Sequence, residues 1–235
     1  VGRHRSPVGS AEQYFVRRSR VINMANGVFL TFEGGEGAGK STQVRRLAAD
    51  LERSGIDVIS TREPGGSPGA EDIRKLLVSG DVARWQPLTE VVLHYAARVE
   101  HVATVVRPAL ERGTWVICDR FHDSTIAYQG YGHGLEIELI DNLHQQLLDG
   151  FKPNLTMILD IPVDAGLART GGRDGVEDRY ERMDSEFHQR LRDGFLQIAA
   201  AEPERCAVID AISSEDAVHR DVIACIKERL SIQLD

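Results

Sequence analysis

The sequence lacks any long apolar run, and no stretch approaches the roughly 20 apolar residues that a membrane-crossing helix needs. We therefore expect no transmembrane segment and no membrane partner. Cysteine is scarce, and the three present, Cys118, Cys206 and Cys225, lie far apart in apolar stretches. They form neither a metal-ligand spacing nor an obvious disulfide pair. This pattern is typical of core cysteines in a cytoplasmic protein.

Positive charge is also in short supply. The chain has 28 Lys and Arg residues against 36 Asp and Glu residues, which gives a formal net charge of −8. This balance argues against general nucleic-acid binding, so any anionic ligand must be held by local arginine clusters. The length of 235 residues suits one α/β domain with a full core.

Residues 1–26 differ from the rest in composition, with five arginines and a single acid, Glu12. There is no apolar core of a secretory signal. The Arg- and Ser-rich composition is similar to that of an organellar transit peptide, and a misplaced start codon ahead of Met24 is the alternative. We predict a disordered basic extension over 1–26 without a catalytic role, followed by a single domain over 27–235.

The strongest signal is the motif G-x-x-x-x-G-K-S over residues 34–41. It fits the phosphate-binding P-loop, and it lies between a predicted strand and a predicted helix, as that motif requires. Its glycines allow backbone N–H groups to surround an anion at a helix N-terminus. We expect ATP to contact Gly34, Gly35, Glu36, Gly37, Ala38, Gly39, Lys40 and Ser41. Lys40 would reach the β and γ phosphates, and Ser41 would bind Mg²⁺.

Apolar periodicity predicts alternating strands and helices along the rest of the chain. We predict strands over 27–33, 56–61, 114–119, 155–160 and 207–210. We predict helices over 42–51, 70–79, 88–111 (kinked at Pro108), 135–148, 162–169, 177–201 and 214–230. This alternation indicates an α/β fold: a doubly wound five-stranded parallel sheet with helices on both faces.

Further motifs follow predicted strands, where ligands of parallel sheets bind. The turn 62–66, Arg-Glu-Pro-Gly-Gly, follows the second strand. The third strand ends in Asp119, which suits a carboxylate near a metal, and Arg120 comes next. His94 and Arg98 are four residues apart on a predicted helix, so they share one face.

Taken together, these motifs resemble the bacterial thymidylate kinase family of P-loop nucleoside monophosphate kinases. The set comprises the P-loop, the turn 62–66, Asp119-Arg120, the segment 124–130 (Ser-Thr-Ile-Ala-Tyr-Gln-Gly) and the Arg- and Gly-containing loop 169–175. The resemblance extends from Gly27 onward. It implies the P-loop kinase fold, phosphorylation of dTMP to dTDP with ATP and Mg²⁺, and a homodimer.

The resemblance also assigns acceptor residues. Arg62 matches a family position that contacts the phosphate of the monophosphate, and a guanidinium group binds phosphate in a bidentate way. Arg98 matches a second family arginine that holds the same nucleotide. Asp119 and Arg120 match a pair close to the metal and the acceptor phosphate. Glu36 matches a carboxylate near the sugar 3′-hydroxyl. Substrate binding is completed by residues that match the lining of the nucleoside pocket: Ser124, Thr125, Tyr128, whose bulk can exclude a 2′-hydroxyl, and Gln129. His94 stands where the family usually has a phenylalanine that stacks on thymine, and an imidazole there can titrate near neutral pH.

The loop over about 169–178 is similar to the family's lid. Because positions 35–38 contain no basic residue, the resemblance implies that the lid supplies the catalytic arginine. The candidates are Arg169 and Arg173, with Arg179 weaker, beside the catalytic Lys40 and Arg120. Metal binding is assigned to Ser41 directly and to Asp119 through water.

Bland alternatives stay open for each residue. Arg62, Arg98 and the 169–175 loop can be solvated surface charges, Asp119 can be a strand-end cap, and Tyr128 can serve packing alone. Two rival functions also remain: another nucleoside monophosphate or deoxynucleoside kinase, and a P-loop ATPase that acts as a switch. Three arginines favour an acceptor that already carries phosphate.

Overall fold

The computed structural model describes residues 27–170 and 179–234. The predicted basic extension over 1–26 and Arg173 lie outside the described residues. Five strands form one parallel sheet in the order β2-β3-β1-β4-β5. They are β1 (Phe29–Glu33), β2 (Val58–Arg62), β3 (Trp115–Asp119), β4 (Leu155–Asp160) and β5 (Cys206–Asp210). The five-stranded parallel sheet predicted from the sequence is confirmed.

The helices lie on both faces of this sheet. They are α1 (Lys40–Arg53), α2 (Pro68–Leu77), α3 (Pro87–His101), α4 (Arg107–Glu111), α5 (His122–Thr125), α6 (Ile137–Leu148), α7 (Val163–Thr170), α8 (Ser185–Ala201) and α9 (Glu215–Leu230). Alternate residues of the buried strands point to opposite faces, which is why the strands read as continuous apolar runs. Leu30 joins the core beneath α1 and α9, whereas Phe29 joins the core beneath α3, α6 and α8.

The long predicted helix over 88–111 is interrupted by one π-helical turn. α3 ends at His101, a π-helical segment spans Val102–Val106, and α4 then begins at Arg107. Pro108 lies in the first turn of α4, where its missing N–H needs no partner. The wider turn accommodates the proline that the sequence predicted would kink the helix.

Two other parts of the prediction differ from the structure. The helix predicted over 177–201 begins only at Ser185, because the side chain of Asp184 caps it by accepting a hydrogen bond from the Phe187 N–H at 2.6 Å. The segment 124–130, which was predicted only as a motif, lies in α5 and in a π-helical segment, Ile126–Gly132. In the described part of the chain, no helix combines the length and apolar character needed to cross a bilayer.

Candidate active site

The glycine loop connects β1 to α1, and at two of its positions a positive φ angle coincides with a backbone contact too close for any side chain. Gly34 and Gly37 have φ angles of 128° and 69°. A Cβ atom at Gly37 would lie 2.0 Å from the carbonyl oxygen of Gly166, and one at Gly34 would lie 2.4 Å from that of Leu159. The loop is therefore pressed against β4 and α7, and its N–H groups open toward a cleft at the start of α1.

Lys40 folds back over this loop. Its side chain is only 7% exposed, and Nζ donates to the carbonyl oxygens of Gly35 at 2.7 Å and Gly34 at 3.2 Å. Burial, together with the charge of Arg120, lowers the pKa of Lys40 to about 8. An anion in the cleft would favour the charged ammonium group.

The two predicted metal ligands lie side by side. The Ser41 hydroxyl donates to Asp119 Oδ2 at 2.6 Å. They meet because β3 and β1 are parallel neighbours, so the carboxyl end of β3 lies beside the start of α1. Hydroxyl and carboxylate oxygens are suitable ligands for a hard cation such as Mg²⁺. Within the described ranges, no group of three or more His, Cys, Asp or Glu side chains could by itself hold a metal ion.

Arg120 is fixed between the glycine loop and α5. Its backbone has a φ of 71°, and its guanidinium donates to Gly34 O at 2.9 Å, Ser124 Oγ at 3.2 Å and Glu36 Oε1 at 3.0 Å. It also lies over the Tyr128 ring at 4.9 Å.

Glu36 is held as a carboxylate by these same neighbours. Burial alone would raise the pKa of Glu36, but the charges of Arg120 and Lys40 and a hydrogen bond from the Tyr128 hydroxyl bring it to about 2. Burial, the largest cause, raises the pKa of Tyr128, which keeps its hydroxyl protonated and able to donate.

Arg98 is buried, so the alternative of an exposed helix charge is wrong. Its side chain is 2% exposed. Nε donates to Glu63 at 2.6 Å, and Nη2 donates to Phe121 O at 3.0 Å and to Thr125 Oγ1 at 2.9 Å. The remaining nitrogen, Nη1, is buried and has no hydrogen-bond partner in the described part of the chain. Since an unsatisfied buried donor is costly, this nitrogen marks a place for a ligand acceptor.

A cavity opens beside Arg98. His94 and Arg98 both line it, as their spacing on α3 predicted. Among its other lining residues are Glu36, Arg120, Ser124, Thr125, Tyr128 and Gln129. The sequence motif 124–130 therefore does supply one wall of a cavity, through α5 and the π-helical segment after it.

His94 differs from the expectation that it can titrate near neutral pH. Burial is the main cause that lowers the pKa of His94 to about 4, so the ring is neutral at pH 7. Its Nε2 atom lies 3.0 Å from the Tyr180 hydroxyl. The ring is thus an uncharged, oriented part of the cavity wall.

A larger cleft, of about 1930 Å³, contains the glycine loop, Ser41 and Asp119. Arg62 lines this cleft and not the smaller cavity, and it bonds Glu71 at 3.1 Å while its side chain is 52% exposed. Cleft and cavity share the residues Glu36, Glu63, Arg74, Arg120 and Glu181. Ligands in the two spaces would therefore meet beside Arg120 and Glu36.

The candidate lid arginines Arg169 and Arg179 lie in different environments. Arg169 ends α7 and donates to the carbonyl oxygens of Ala211 at 2.9 Å and Ile212 at 3.0 Å. Arg179 as a lid arginine is wrong, because it is 1% exposed. Its guanidinium pairs with Glu90 and donates to the carbonyl oxygens of Leu77, Asp81 and Val82.

The sequence reasoning missed five residues around the cavity: Glu33, Glu63, Arg74, Glu90 and Tyr180. Glu63 stands inside the quoted turn 62–66, where a buried carboxylate partner for an arginine was foreseeable. Glu33 ends β1 and accepts hydrogen bonds from Phe121 N–H and Ser124 Oγ. Tyr180 comes from a distant segment, and no local sequence pattern predicts its place beside the cavity.

The sheet order, the glycine loop and the adjoining acceptor cavity define a P-loop kinase. A family model described as thymidylate kinase matches residues 32–222. The chain belongs to the thymidylate kinase family.

Individual relatives agree with this assignment. A thymidylate kinase of Caulobacter vibrioides is 54% identical over 209 residues, covering 89% of this chain and 100% of the relative. One from Bradyrhizobium sp. (strain ORS 278) is 50% identical over 206 residues, covering 87% and 91%. The crystal structure of thymidylate kinase from Ehrlichia chaffeensis superposes with a TM-score of 0.70 at 38% identity, covering 86% of this chain and 99% of that one. The resemblance drawn from the motifs is therefore confirmed.

Proposed function

We propose that the protein transfers the γ-phosphoryl group of ATP to dTMP, giving dTDP and ADP, with dTMP held in the cavity beside Arg98. Family membership supports the reaction. The observation that carries the choice of base concerns two buried atoms of cavity-lining residues, Arg98 Nη1 and Gln129 Oε1, which have no hydrogen-bond partner among the described residues.

These two atoms match the edge of thymine. Arg98 Nη1 is a donor, and thymine offers the O4 carbonyl as an acceptor. Gln129 Nε2 donates to the Glu90 carboxylate at 2.7 Å, so Oε1 is the end left for the base, and it would accept the N3–H. Cytosine presents the reverse pattern, an N4 amino group and an unprotonated N3, and would leave both protein atoms opposed by like groups.

The reaction itself needs positioning and charge neutralisation, and no general base is assigned. A phosphate oxygen of dTMP attacks the γ-phosphorus, the bond to the β-bridging oxygen breaks, and ADP leaves. Arg120 lies where the two spaces meet and would contact the acceptor phosphate, with Arg62 beside it. Lys40 would exchange its loop carbonyls for the β and γ phosphates. Glu36 would accept from the 3′-hydroxyl, and Tyr128 would leave no room for a 2′-hydroxyl.

The metal and the lid complete the proposal. Ser41 and Asp119 would hold Mg²⁺, directly and through water, and the ion would neutralise charge on the β and γ phosphates. Arg169 and Arg173 are the proposed lid arginines that stabilise the transferring group. The loop 211–215 also lines the larger cleft, so we place adenine beside that loop.

We also propose a homodimer and a cytoplasmic location. Leu88 and Val92, one turn apart on α3, are 49% and 52% exposed, and a second copy of the chain is the proposed cover for this apolar face. Val92→Glu should then yield a monomer in light scattering, whereas Val208→Glu, at a 47% exposed position on β5, should not. The three cysteines are free, as expected in a reducing compartment.

The experiment for the reaction is ADP release from Mg-ATP with dTMP, thymidine or no acceptor. Rapid release with dTMP only supports the proposal. Release with thymidine would favour a nucleoside kinase, and release without any acceptor would favour the ATPase alternative.

A further inference from the structure

Glu90 lies behind the base cavity and does not line it. It lies in the first turn of α3, and its side chain is 1% exposed. We propose that Glu90 is a positioning residue that sets which hydrogen-bonding atoms the cavity wall offers to the base. The inference rests on the proposed dTMP site, and it assigns a role to a residue that would not touch the substrate.

Three side chains donate to Glu90, and the ring of His133 lies beside it, with Nε2 3.6 Å from Oε1. Oε1 accepts from Gln129 Nε2 at 2.7 Å and from the Tyr180 hydroxyl at 3.0 Å, and Oε2 lies 2.5 Å from Arg179 Nη2. Burial alone would raise the pKa of Glu90, but His133, His94, Arg179 and Gln129 together lower it to about 2. Glu90 is therefore ionised, and a carboxylate can only accept.

The first consequence concerns the amide of Gln129. Its NH₂ end must face the carboxylate, since the opposite orientation would place Oε1 against Glu90 Oε1 at hydrogen-bond distance. Oε1 of this cavity-lining residue is then left buried, with no hydrogen-bond partner in the part of the chain that the structure describes. The charge on Glu90 thus fixes the orientation of the Gln129 amide and leaves its oxygen as a hydrogen-bond acceptor.

The second consequence concerns the tautomer of His94. The Tyr180 proton lies on the bond to Glu90, so the Tyr180 oxygen accepts at its other contact, His94 Nε2 at 3.0 Å. His94 must then carry its proton on Nε2, and Nδ1 keeps a lone pair. One carboxylate fixes the polarity of two groups that line the cavity, Gln129 and His94.

Arg179 holds Glu90 in this state from the opposite side. Its guanidinium is anchored by the carbonyl oxygens of Leu77 at 3.1 Å, Asp81 at 3.1 Å and Val82 at 2.9 Å. Arg179 therefore keeps facing Oε2, which leaves Oε1 for the cavity side. This arrangement makes the effect of a neutral replacement predictable.

Glu90→Gln should exchange hydrogen-bond donors and acceptors at the two cavity-lining groups, Gln129 and His94. The new amide oxygen would stay on Arg179, and its NH₂ group would replace Oε1. Gln129 would then turn its oxygen toward residue 90 and its NH₂ toward the base. The Tyr180 proton would move to the His94 contact, and His94 would become the Nδ1–H tautomer.

The test compares dUMP with its analogue whose base is 2-pyrimidinone, which has an unprotonated N3 and no group at C4. The wild type should reject the analogue because two acceptors would face each other. In Glu90→Gln, kcat/KM for the analogue relative to dUMP should rise by about 10-fold or more. Loss of folding cannot produce this gain. Glu202→Gln is the control, a carboxylate-to-amide change at the Arg205 and Lys152 ion pairs, away from the cavity.

A second measurement separates the effect of Glu90 on His94 from its effect on Gln129. In ¹⁵N NMR spectra, His94 should be the Nε2–H tautomer in the wild type. Tyr180→Phe should remove the constraint that holds His94 in this tautomer. It should leave the preference for dUMP over the 2-pyrimidinone analogue within about 3-fold of wild type, because Gln129 still faces Glu90. This variant keeps the buried charge pair, so it carries the test even if Glu90→Gln does not fold.

Three outcomes would overturn the inference: an unchanged ratio in folded Glu90→Gln, an equal change in Glu202→Gln, or a Tyr180→Phe variant that loses base preference. A wild type that shows no dTMP-dependent ADP release would instead contradict the proposed function, so the two failures are distinguishable.

Discussion

The phosphate end of the site and the base end are built in different ways. At the phosphate end, one continuous loop supplies the backbone, Lys40 and Ser41, and the cleft around it is wide. At the base end, the wall comes from α3, α5, the π-helical segment after it and Tyr180. Its charges are buried in pairs, such as Arg98 with Glu63 and Arg179 with Glu90.

This difference separates two kinds of specificity. Phosphate would be recognised by a glycine-rich backbone and a lysine that many P-loop proteins share. The base would be recognised by single atoms whose orientation depends on buried partners. Mutations at the phosphate end should therefore remove rate with little effect on stability, whereas mutations at the base end should alter stability and substrate choice together.

The largest effect is expected for Lys40→Ala at the phosphate end. Loss of a preorganised cation at the transferring group should lower kcat by at least about 100-fold. The melting temperature should stay close to wild type, because Lys40 bonds only loop carbonyls. Steady-state assays and thermal unfolding measure both quantities, and Arg45→Ala, on the exposed side of α1, is the control. Near-full activity in Lys40→Ala would refute this role.

Arg98→Met tests the base end. This substitution removes the arginine partner of the Glu63 carboxylate, which is 4% exposed. The carboxylate then keeps its hydrogen bond with the His101 ring. Breaking a buried pair in this way should cost about 3–5 kcal/mol in the free energy of unfolding, as measured with urea. A loss below about 1 kcal/mol would mean that Glu63 is satisfied without Arg98.

Arg62→Ala is the exposed counterpart on the acceptor side. The KM for dTMP should rise roughly 10-fold or more through loss of a charged hydrogen bond to phosphate. The unfolding free energy should change by less than about 0.5 kcal/mol, since the Glu71 pair is exposed. If Arg62→Ala destabilised the protein as much as Arg98→Met, the contrast between the two ends would fail.

A further prediction is a pH dependence centred on Glu33, between the two ends. Burial, followed by the charge of Asp123, raises the pKa of Glu33 to about 7 in the folded chain. The folded state therefore binds more protons than the unfolded state between about pH 4.5 and 7, and this contribution to stability is lost as the pH rises through that window. Glu33→Gln should gain stability relative to wild type from pH 5 to 8, by up to about 3 kcal/mol.

Thermal unfolding across pH measures this slope, and Glu202→Gln serves as the control. The hydrogen bond from Arg205 is the largest cause that lowers the pKa of Glu202, to about 2. That variant should therefore not gain stability relative to wild type over the same range. Parallel slopes for wild type and Glu33→Gln would contradict the assignment.

The same contrast explains what the sequence could predict. The glycine loop, the strand-end Asp119 and the five-strand alternation are local patterns, so they were readable along the chain. His94 and Arg98 were placed on one face because helical spacing is local too. Glu90 and Tyr180 are 90 residues apart in the sequence and meet only through folding. Arg179 was interpreted as a lid charge because no sequence pattern near it indicates its buried carboxylate partner. The late start of α8 was missed because the charged segment before Asp184 fits a helix as well as a turn.

The most direct test of the account is the ratio of kcat/KM for dTMP to that for dCMP in the wild type. Arg98 Nη1 and Gln129 Oε1 should accept thymine and oppose cytosine at both atoms, which predicts a ratio of at least about 100. A ratio near unity would show that these two atoms do not read the base, and the proposed base site would be wrong.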